Sequence, residues 1–222
     1  MIKKDIKSIR EYLKVYLIMG STNCMKDPEE ILAEAIEGGV TLFQYREKGI
    51  GSLSKKSKVM LAERLQAICR EKDIPFLVND DIELALKINA DGIHIGQDDD
   101  SAEAARARIG KDKLMGVSVH SLEEAEKAIH DGADYLGIGP IYETATKKDA
   151  KAASGTELIK AIRNKGISLP IVGIGGIRPG NAGKIIEDGG DGVSVITGIT
   201  HAASAKKAAE ELRNEVSSVN DL

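Results

Sequence analysis

Residues 171–198 read Ile171-Val-Gly-Ile-Gly-Gly-Ile-Arg-Pro-Gly-Asn-Ala-Gly-Lys-Ile-Ile-Glu-Asp-Gly-Gly-Asp-Gly-Val-Ser-Val-Ile-Thr-Gly198. A short apolar run, Ile171–Gly173, enters a glycine turn. A segment of helical character follows over Asn181–Asp188, then a Gly189-Gly190 stop and a second apolar run, Gly192–Ile196. Short apolar runs bounded by glycine read as strands buried on both faces. The order strand, helix, strand implies a right-handed crossover between parallel neighbours.

The same unit recurs along the whole chain. Candidate strands are Val15–Met19, Val40–Tyr45, Pro75–Val78, Gly92–Ile95, Leu114–Val119, Tyr135–Ile138, Ile171–Gly173 and Gly192–Ile196. The intervening helices are expected over Pro28–Glu37, Lys55–Lys72, Ile82–Ile88, Ala102–Ile109, Leu122–His130, Glu157–Lys165, Asn181–Asp188 and Ala205–Glu215. One further helix, Lys3–Leu13, precedes the first strand. Asp27-Pro28 supplies a cap and a proline at a first helical position, and Ser121-Leu-Glu-Glu124 has the form of a capping box. Glycines after Glu37, Asp131 and Asp188 close helices, and Ala90-Asp91-Gly92, Gly132-Ala133-Asp134 and Gly190-Asp191-Gly192 form a weak repeat before strands. Eight such units in 222 residues, without a linker, predict one (β/α)8 TIM barrel over residues 1–222, with an extra N-terminal helix. The alternative, an open doubly wound sheet, calls for Gly-x-Gly-x-x-Gly after its first strand, and Gly20-Ser-Thr-Asn23 is not that.

Composition narrows the function. Apolar residues at 42% and charged residues at 30% suit a chain with a real core. Lys and Arg number 31 against 35 Asp and Glu, with no basic run, which argues against nucleic-acid or membrane-surface partners. No apolar stretch has the length of a membrane span, and Met1-Ile2-Lys3-Lys4-Asp5 leads into no uninterrupted apolar core, so a cytoplasmic protein is expected. Cys24 and Cys69 have no motif spacing for a disulfide framework or a zinc site. An apolar patch on an outer helix reads the same as helix–barrel packing, so no oligomeric state follows.

In a barrel of this kind chemistry belongs at the C-terminal ends of the strands. Gln44, Arg46 and Lys48 share one face if the second strand stays extended, and an amide, a guanidinium and an ammonium together suit a polyanion. The competing reading is a surface charge group paired with Glu47. Asp80 and Asp99 end neighbouring strands and have the makings of a Mg2+ site completed by water and phosphate. Asp81, and Asp100 or Ser101, are better explained as helix caps. Gly173-Ile-Gly-Gly-Ile177 and Ser194–Gly198 lie where barrels commonly bind phosphate through backbone N–H groups. The connection Tyr142–Gly155 is long and polar, and carries Lys147 and Lys148. His94 is expected to face the interior, as a satisfied core residue or a catalytic one. Ser118 lacks a nucleophile elbow and reads equally as a local backbone partner.

Six ordered segments then resemble the thiamine-phosphate synthase family: Gln44-Tyr-Arg-Glu-Lys48, Val78-Asn-Asp-Asp81, Ala90-Asp-Gly-Ile-His-Ile-Gly-Gln-Asp-Asp99, Gly116-Val-Ser-Val-His120, Gly139-Pro-Ile-Tyr-Glu-Thr-Ala-Thr-Lys147 and Gly173-Ile-Gly-Gly-Ile177. Glu143 departs from a proline that many relatives carry. The resemblance implies condensation of 4-amino-5-hydroxymethyl-2-methylpyrimidine diphosphate with a thiazole phosphate, or its carboxylated form, releasing pyrophosphate. It implies that Gln44, Arg46, Lys48, Asn79, Ser118 and Lys147 hold the pyrimidine diphosphate, with Lys48, Ser118 and Lys147 catalytic. Thr144, Ala145, Thr146, Gly176, Ile196 and Thr197 would hold the thiazole phosphate, and Asp80 and Asp99 a Mg2+ ion. The rival within the superfamily is a thiazole tautomerase, an isomerase with no use for a pyrophosphate-binding metal.

Overall fold

Eight parallel strands hydrogen-bond in sequence order, and the last returns to the first, so the sheet closes as a barrel without an edge. The strands are β1 (Val15–Met19), β2 (Leu42–Tyr45), β3 (Phe76–Asn79), β4 (Gly92–Ile95), β5 (Leu114–Val119), β6 (Tyr135–Ile138), β7 (Ile171–Ile174) and β8 (Gly192–Val195). Around them run α1 (Ile6–Leu13), α2 (Pro28–Glu37), α3 (Lys55–Glu71), α4 (Ile82–Lys87), α5 (Ala102–Ile109), α6 (Leu122–His130), α7 (Glu157–Asn164), α8 (Gly183–Glu187), α9 (Thr197–Thr200) and α10 (Ala205–Ser218). This is a computed structural model that describes residues 2–144 and 152–218. The expected site residues Ala145, Thr146 and Lys147, with Lys148, lie outside the described residues.

The barrel and the order of its strands match the sequence reading, while the short α9 was not expected and other differences have local causes. The second strand begins at Leu42 rather than Val40, where the Thr41 hydroxyl accepts from Val15 N at 2.9 Å and donates toward the Tyr12 and Val15 carbonyls. The helix expected over Asn181–Asp188 forms only over Gly183–Glu187. Asn181 is taken up by the preceding turn, accepting from Arg178 N at 2.9 Å and donating to the Gly176 carbonyl at 3.0 Å. The capping box at Ser121 is half made. Its hydroxyl accepts from Glu124 N, but the Glu124 carboxylate reaches His120 N instead of the cap's own amide.

Two apolar layers hold the fold. Outward side chains such as Phe43, Tyr45, Phe76 and Ile93 meet the helices. Inward ones, including Leu42, Leu77, Leu114 and Val172, fill the barrel floor, where Ile9 and Leu13 of α1 close the bottom. The extra helix is thus the barrel's plug. The upper interior is polar, and that is where the site lies.

The weak aspartate repeat has a structural meaning. Phe76 N donates to Asp91 at 2.9 Å, Met115 N to Asp134 at 2.8 Å and Ile171 N to Asp191 at 2.8 Å. Each carboxylate before an even-numbered strand caps an N–H at the start of the strand before it, the first residue of β3 and β7 and the second of β5, and Thr41 does the same for the first of β1. Two of the carboxylates are held by arginines in matching poses. Arg106 bonds Asp134 and the Gly132 carbonyl, and Arg163 bonds Asp191 and the Gly189 carbonyl. A buried donor or charge without its partner is costly. Asp191→Ala is therefore expected to lower the unfolding free energy by about 2–4 kcal/mol in urea titrations. A change below about 0.5 kcal/mol, typical of an unconnected surface substitution, would contradict this role.

Candidate active site

A cavity of about 300 Å³ opens at the C-terminal ends of the strands. Every candidate site residue that is described lines it: Gln44, Arg46 and Lys48 on one side, Asn79, Asp80 and Asp99 beside them, Ser118 and Thr144, and Gly176, Ile196 and Thr197 opposite. β2 ends at Tyr45, but the chain keeps its alternation one turn further. Gln44, Arg46 and Lys48 face the cavity, while Phe43 and Tyr45 face the helices.

The competing reading, a surface charge group built on Glu47, does not hold. Glu47 is buried and turned away from the cavity. Its carboxylate accepts from Ser21 N at 2.8 Å, Ser21 Oγ at 2.6 Å and Leu53 N at 2.9 Å, with the Tyr45 hydroxyl at 3.4 Å. It joins the loops after β1 and β2. Nothing in the sequence marked it beyond its place between two inward cations.

Asp80 and Asp81 show how one local kink gives adjacent acids different duties. Asp80 takes the left-handed conformation, φ 58°, which Asp adopts more readily than most residues. Its amide donates to the His94 carbonyl at 2.9 Å, tying the turn to β4. Asp81 is then free to cap α4, accepting from Leu84 N at 2.9 Å. Ser101, not Asp100, caps α5. Asp99 is fixed by the Gly96 amide at 2.8 Å.

The Asp80 and Asp99 side chains lie within hydrogen-bonding reach of each other, and the Lys48 ammonium bonds Asp80 and stands 3.9 Å from Asp99. Burial, together with the adjacent Asp99, pushes the Asp80 carboxyl above its ordinary range, with Lys48 opposing. Two anions held this close call for a cation, and the lysine already occupies part of that role. Among the described residues no three or more His, Cys, Asp or Glu side chains form a metal-binding cluster. A carboxylate pair nonetheless fits a hard cation whose remaining ligands are water and phosphate oxygens.

The opposite wall is backbone. Gly176 has φ 64°, and a Cβ there would stand 2.5 Å from the Glu143 carbonyl and 2.7 Å from the Tyr142 Cβ. Only glycine lets the β6 and β7 loops approach so closely. Those loops are also bonded, Tyr142 N to the Gly175 carbonyl at 3.0 Å and the Tyr142 hydroxyl to the Asn181 carbonyl at 2.7 Å. Ile196 and Thr197 begin the short α9 at the cavity rim. Ser194, one inward position below Ile196, is buried and cavity-lining, and its hydroxyl has no hydrogen-bond partner among the described residues.

Ser118 does not bond to local backbone. Its hydroxyl meets His94 Nε2 at 2.9 Å, and His94 Nδ1 meets the Tyr135 hydroxyl at 2.9 Å. The Gln44 amide nitrogen bonds the Tyr16 hydroxyl. Tyr16 and Tyr135 were readable only as apolar-strand residues. Their inward phase was the one sign of the bonds they make to Gln44 and His94, and neither lines the cavity.

Comparison with known proteins finds relatives over most of the chain. A family model described as thiamine monophosphate synthase matches residues 15–199. A thiamine-phosphate synthase of Bacillus cereus (strain AH187) is 55% identical over 205 residues, covering 92% of this chain and 93% of that protein. One from Bacillus thuringiensis subsp. konkukian (strain 97-27) is also 55% identical, with the same coverage. Among solved structures, thiamine phosphate pyrophosphorylase from Pyrococcus furiosus superposes with a TM-score of 0.84 at 36% identity, covering 95% of this chain and 98% of that one. A native KDPGal structure, 16% identical with a TM-score of 0.71 over 95% and 97% of the two chains, shares the fold alone.

The contacts of Glu47 generate a stability prediction. Ser21 N donates to one carboxylate oxygen and Leu53 N to the other, so an amide in either orientation would set NH2 against a backbone N–H. Glu47→Gln is expected to destabilise as much as Glu47→Ala, by about 2–3 kcal/mol each in thermal unfolding. A Gln variant as stable as the parent would contradict the assignment of both bonds.

Proposed function

Since the chain belongs to the thiamine monophosphate synthase family, its reaction is a transfer that forms thiamine phosphate, and we propose that the barrel mouth joins an aminopyrimidine diphosphate to a thiazole phosphate. The observation that carries this reading is the division of one cavity into two unlike halves. One half holds Arg46, Lys48, Asp80 and Asp99, and suits a pyrophosphate with a divalent cation. The other is the close-packed backbone around Gly176 with Ile196 and Thr197, which suits a single phosphate approached by main chain.

In this reading Gln44, Asn79 and Ser118 hold the pyrimidine, with Arg46, Lys48 and Lys147 on its diphosphate. Thr144, Ala145, Thr146, Gly176, Ile196 and Thr197 hold the thiazole phosphate. The carboxylates of Asp80 and Asp99 would hold Mg2+, which when bound supplies divalent charge to a departing pyrophosphate. The bond that breaks joins pyrophosphate to a CH2 group on an electron-rich ring, and its electron pair leaves with the pyrophosphate. The ring shares the positive charge left on carbon, and the thiazole nitrogen lone pair then forms the new C–N bond. That nitrogen carries no proton, so no general base is needed. Arg46, Lys48 and Lys147 oppose charge that grows on the leaving group, and the two binding halves set the reactants in line. Small-molecule substrates suffice for this chemistry, and a cytoplasmic setting fits it. No helix among the described residues is long and apolar enough to cross a membrane. An isomerase of the tautomerase type would leave the Lys48–Asp80–Asp99 group without a task.

Purified protein given both substrates and Mg2+ should release pyrophosphate and thiamine phosphate in equal amounts, and excess chelator should abolish the reaction. Asp80→Ala and Asp99→Ala should each lower kcat/KM by roughly 10²-fold. The double variant should lose less than the product of the two, as groups sharing one ion do. Full turnover in chelator, or strictly multiplicative losses, would contradict a shared metal.

A further inference from the structure

Five inward side chains from five strands form one continuous hydrogen-bonded chain through the upper barrel. The Gln44 amide nitrogen on β2 bonds the Tyr16 hydroxyl on β1, which lies 2.9 Å from the Tyr135 hydroxyl on β6. Tyr135 lies 2.9 Å from Nδ1 of His94 on β4, and His94 Nε2 lies 2.9 Å from Ser118 Oγ on β5. The two ends, Gln44 and Ser118, line the cavity, as does His94, while Tyr16 and Tyr135 are fully buried.

The space for this chain is built in. A Cβ on Gly116 would lie 2.3 Å from the Tyr135 hydroxyl and 2.5 Å from His94 Nδ1, where those two groups meet. One on Gly137 would lie 3.0 Å from His94 Cε1. The tyrosine rings meet edge to face with centroids 6.1 Å apart, and the His94 ring tilts against Tyr135 at 5.5 Å.

Each link constrains the next. An amide nitrogen can only donate, so Tyr16 accepts from Gln44 and gives its own hydrogen to Tyr135. Tyr135 in turn donates to His94 Nδ1. A neutral imidazole that accepts at Nδ1 carries its proton on Nε2 and donates from there to Ser118. Burial pushes both tyrosine hydroxyls well above their ordinary range, so both hydrogens are present to be passed along.

We propose that Tyr16, Tyr135 and His94 are positioning residues that polarise this chain in one direction, from Gln44 to Ser118, and so fix what each end offers the ligand. Gln44 turns its carbonyl oxygen to the cavity as an acceptor, and Ser118 turns its hydroxyl hydrogen there as a donor. That pairing suits a ligand with a donor and an acceptor in set places, an exocyclic amine on a ring beside a ring nitrogen or a phosphate oxygen. An oxo group in place of the amine would face the Gln44 carbonyl oxygen to oxygen. The ligand assignment rests on the proposed function, whereas the polarity of the chain rests on the geometry alone.

Nitrogen NMR of isotopically labelled histidine separates the two. The His94 signals are identified by their loss in His94→Gln, and the spectra are recorded at about pH 8, above the ordinary histidine range. The parent protein should show the Nε2–H tautomer. Gln44→Glu replaces the donor at the head of the chain with a carboxylate that only accepts. Every link should then reverse, leaving His94 as the Nδ1–H tautomer. Tyr135→Phe keeps the ring and removes one link, and should lower kcat about tenfold, the scale of one oriented hydrogen bond. An Nδ1–H tautomer in the parent, or one unchanged in a folded Gln44→Glu, would overturn the polarity. Should Gln44→Glu not fold, the parent's tautomer still decides it. An undiminished kcat in Tyr135→Phe would overturn the positioning role. The tautomer is read without substrate, so failure of the proposed reaction would show as absent turnover in the parent and leave that readout standing.

Discussion

Closing eight parallel strands into a ring leaves a buried inward polar side chain little water to fall back on, so partners across the barrel are favoured, and among the described inward residues Ser194 is left without one. That constraint organises the structure. In the lower half it is met by leaving polar groups out: Leu42, Leu77, Leu114 and Val172 fill the floor, and α1 plugs it with Ile9 and Leu13. In the upper half it is met by linking them, Gln44 to Tyr16, Tyr16 to Tyr135, Tyr135 to His94 and His94 to Ser118. The apolar floor packs the fold, and the linked half fixes side chains beside the cavity.

The rim follows from the same constraint at the strand ends. On the N-terminal side, Asp91, Asp134, Asp191 and Thr41 satisfy amides at the starts of strands. On the C-terminal side the strand ends open into the cavity, where Asp80 and Asp99 share Lys48. One end of the barrel sets its carboxylates on its own backbone, and the other gathers two of them around the Lys48 ammonium. That contrast explains why acids so similar in sequence context have different roles.

Strand order, barrel closure and most cavity residues were legible because each depends on local pattern. Short apolar runs, glycine stops and the position of odd polar residues just past a strand suffice to bring Gln44, Lys48, Asp80, Asp99 and Gly176 to one mouth. What escaped were pairings between residues distant in sequence. Glu47 reads as one more surface charge until Ser21 and Leu53 are seen to bond it. Ser118 reads as a local backbone partner until His94 is found beside it. Tyr16 and Tyr135 read as apolar bulk, since nothing local says that their hydroxyls meet across the barrel. Strand boundaries shifted where a side chain took over backbone bonding, as Thr41 and Asn181 do.

The account stands on the two halves of the cavity having different tasks. A crystal structure with thiamine phosphate, pyrophosphate and Mg2+ bound tests this most directly. The account predicts pyrophosphate against Arg46 and Lys48, with the ion on Asp80 and Asp99, and the phosphate of thiamine phosphate against Gly176 and Thr197. Pyrophosphate seated on the Gly176 side, or both anions gathered on the Arg46 side, would contradict it.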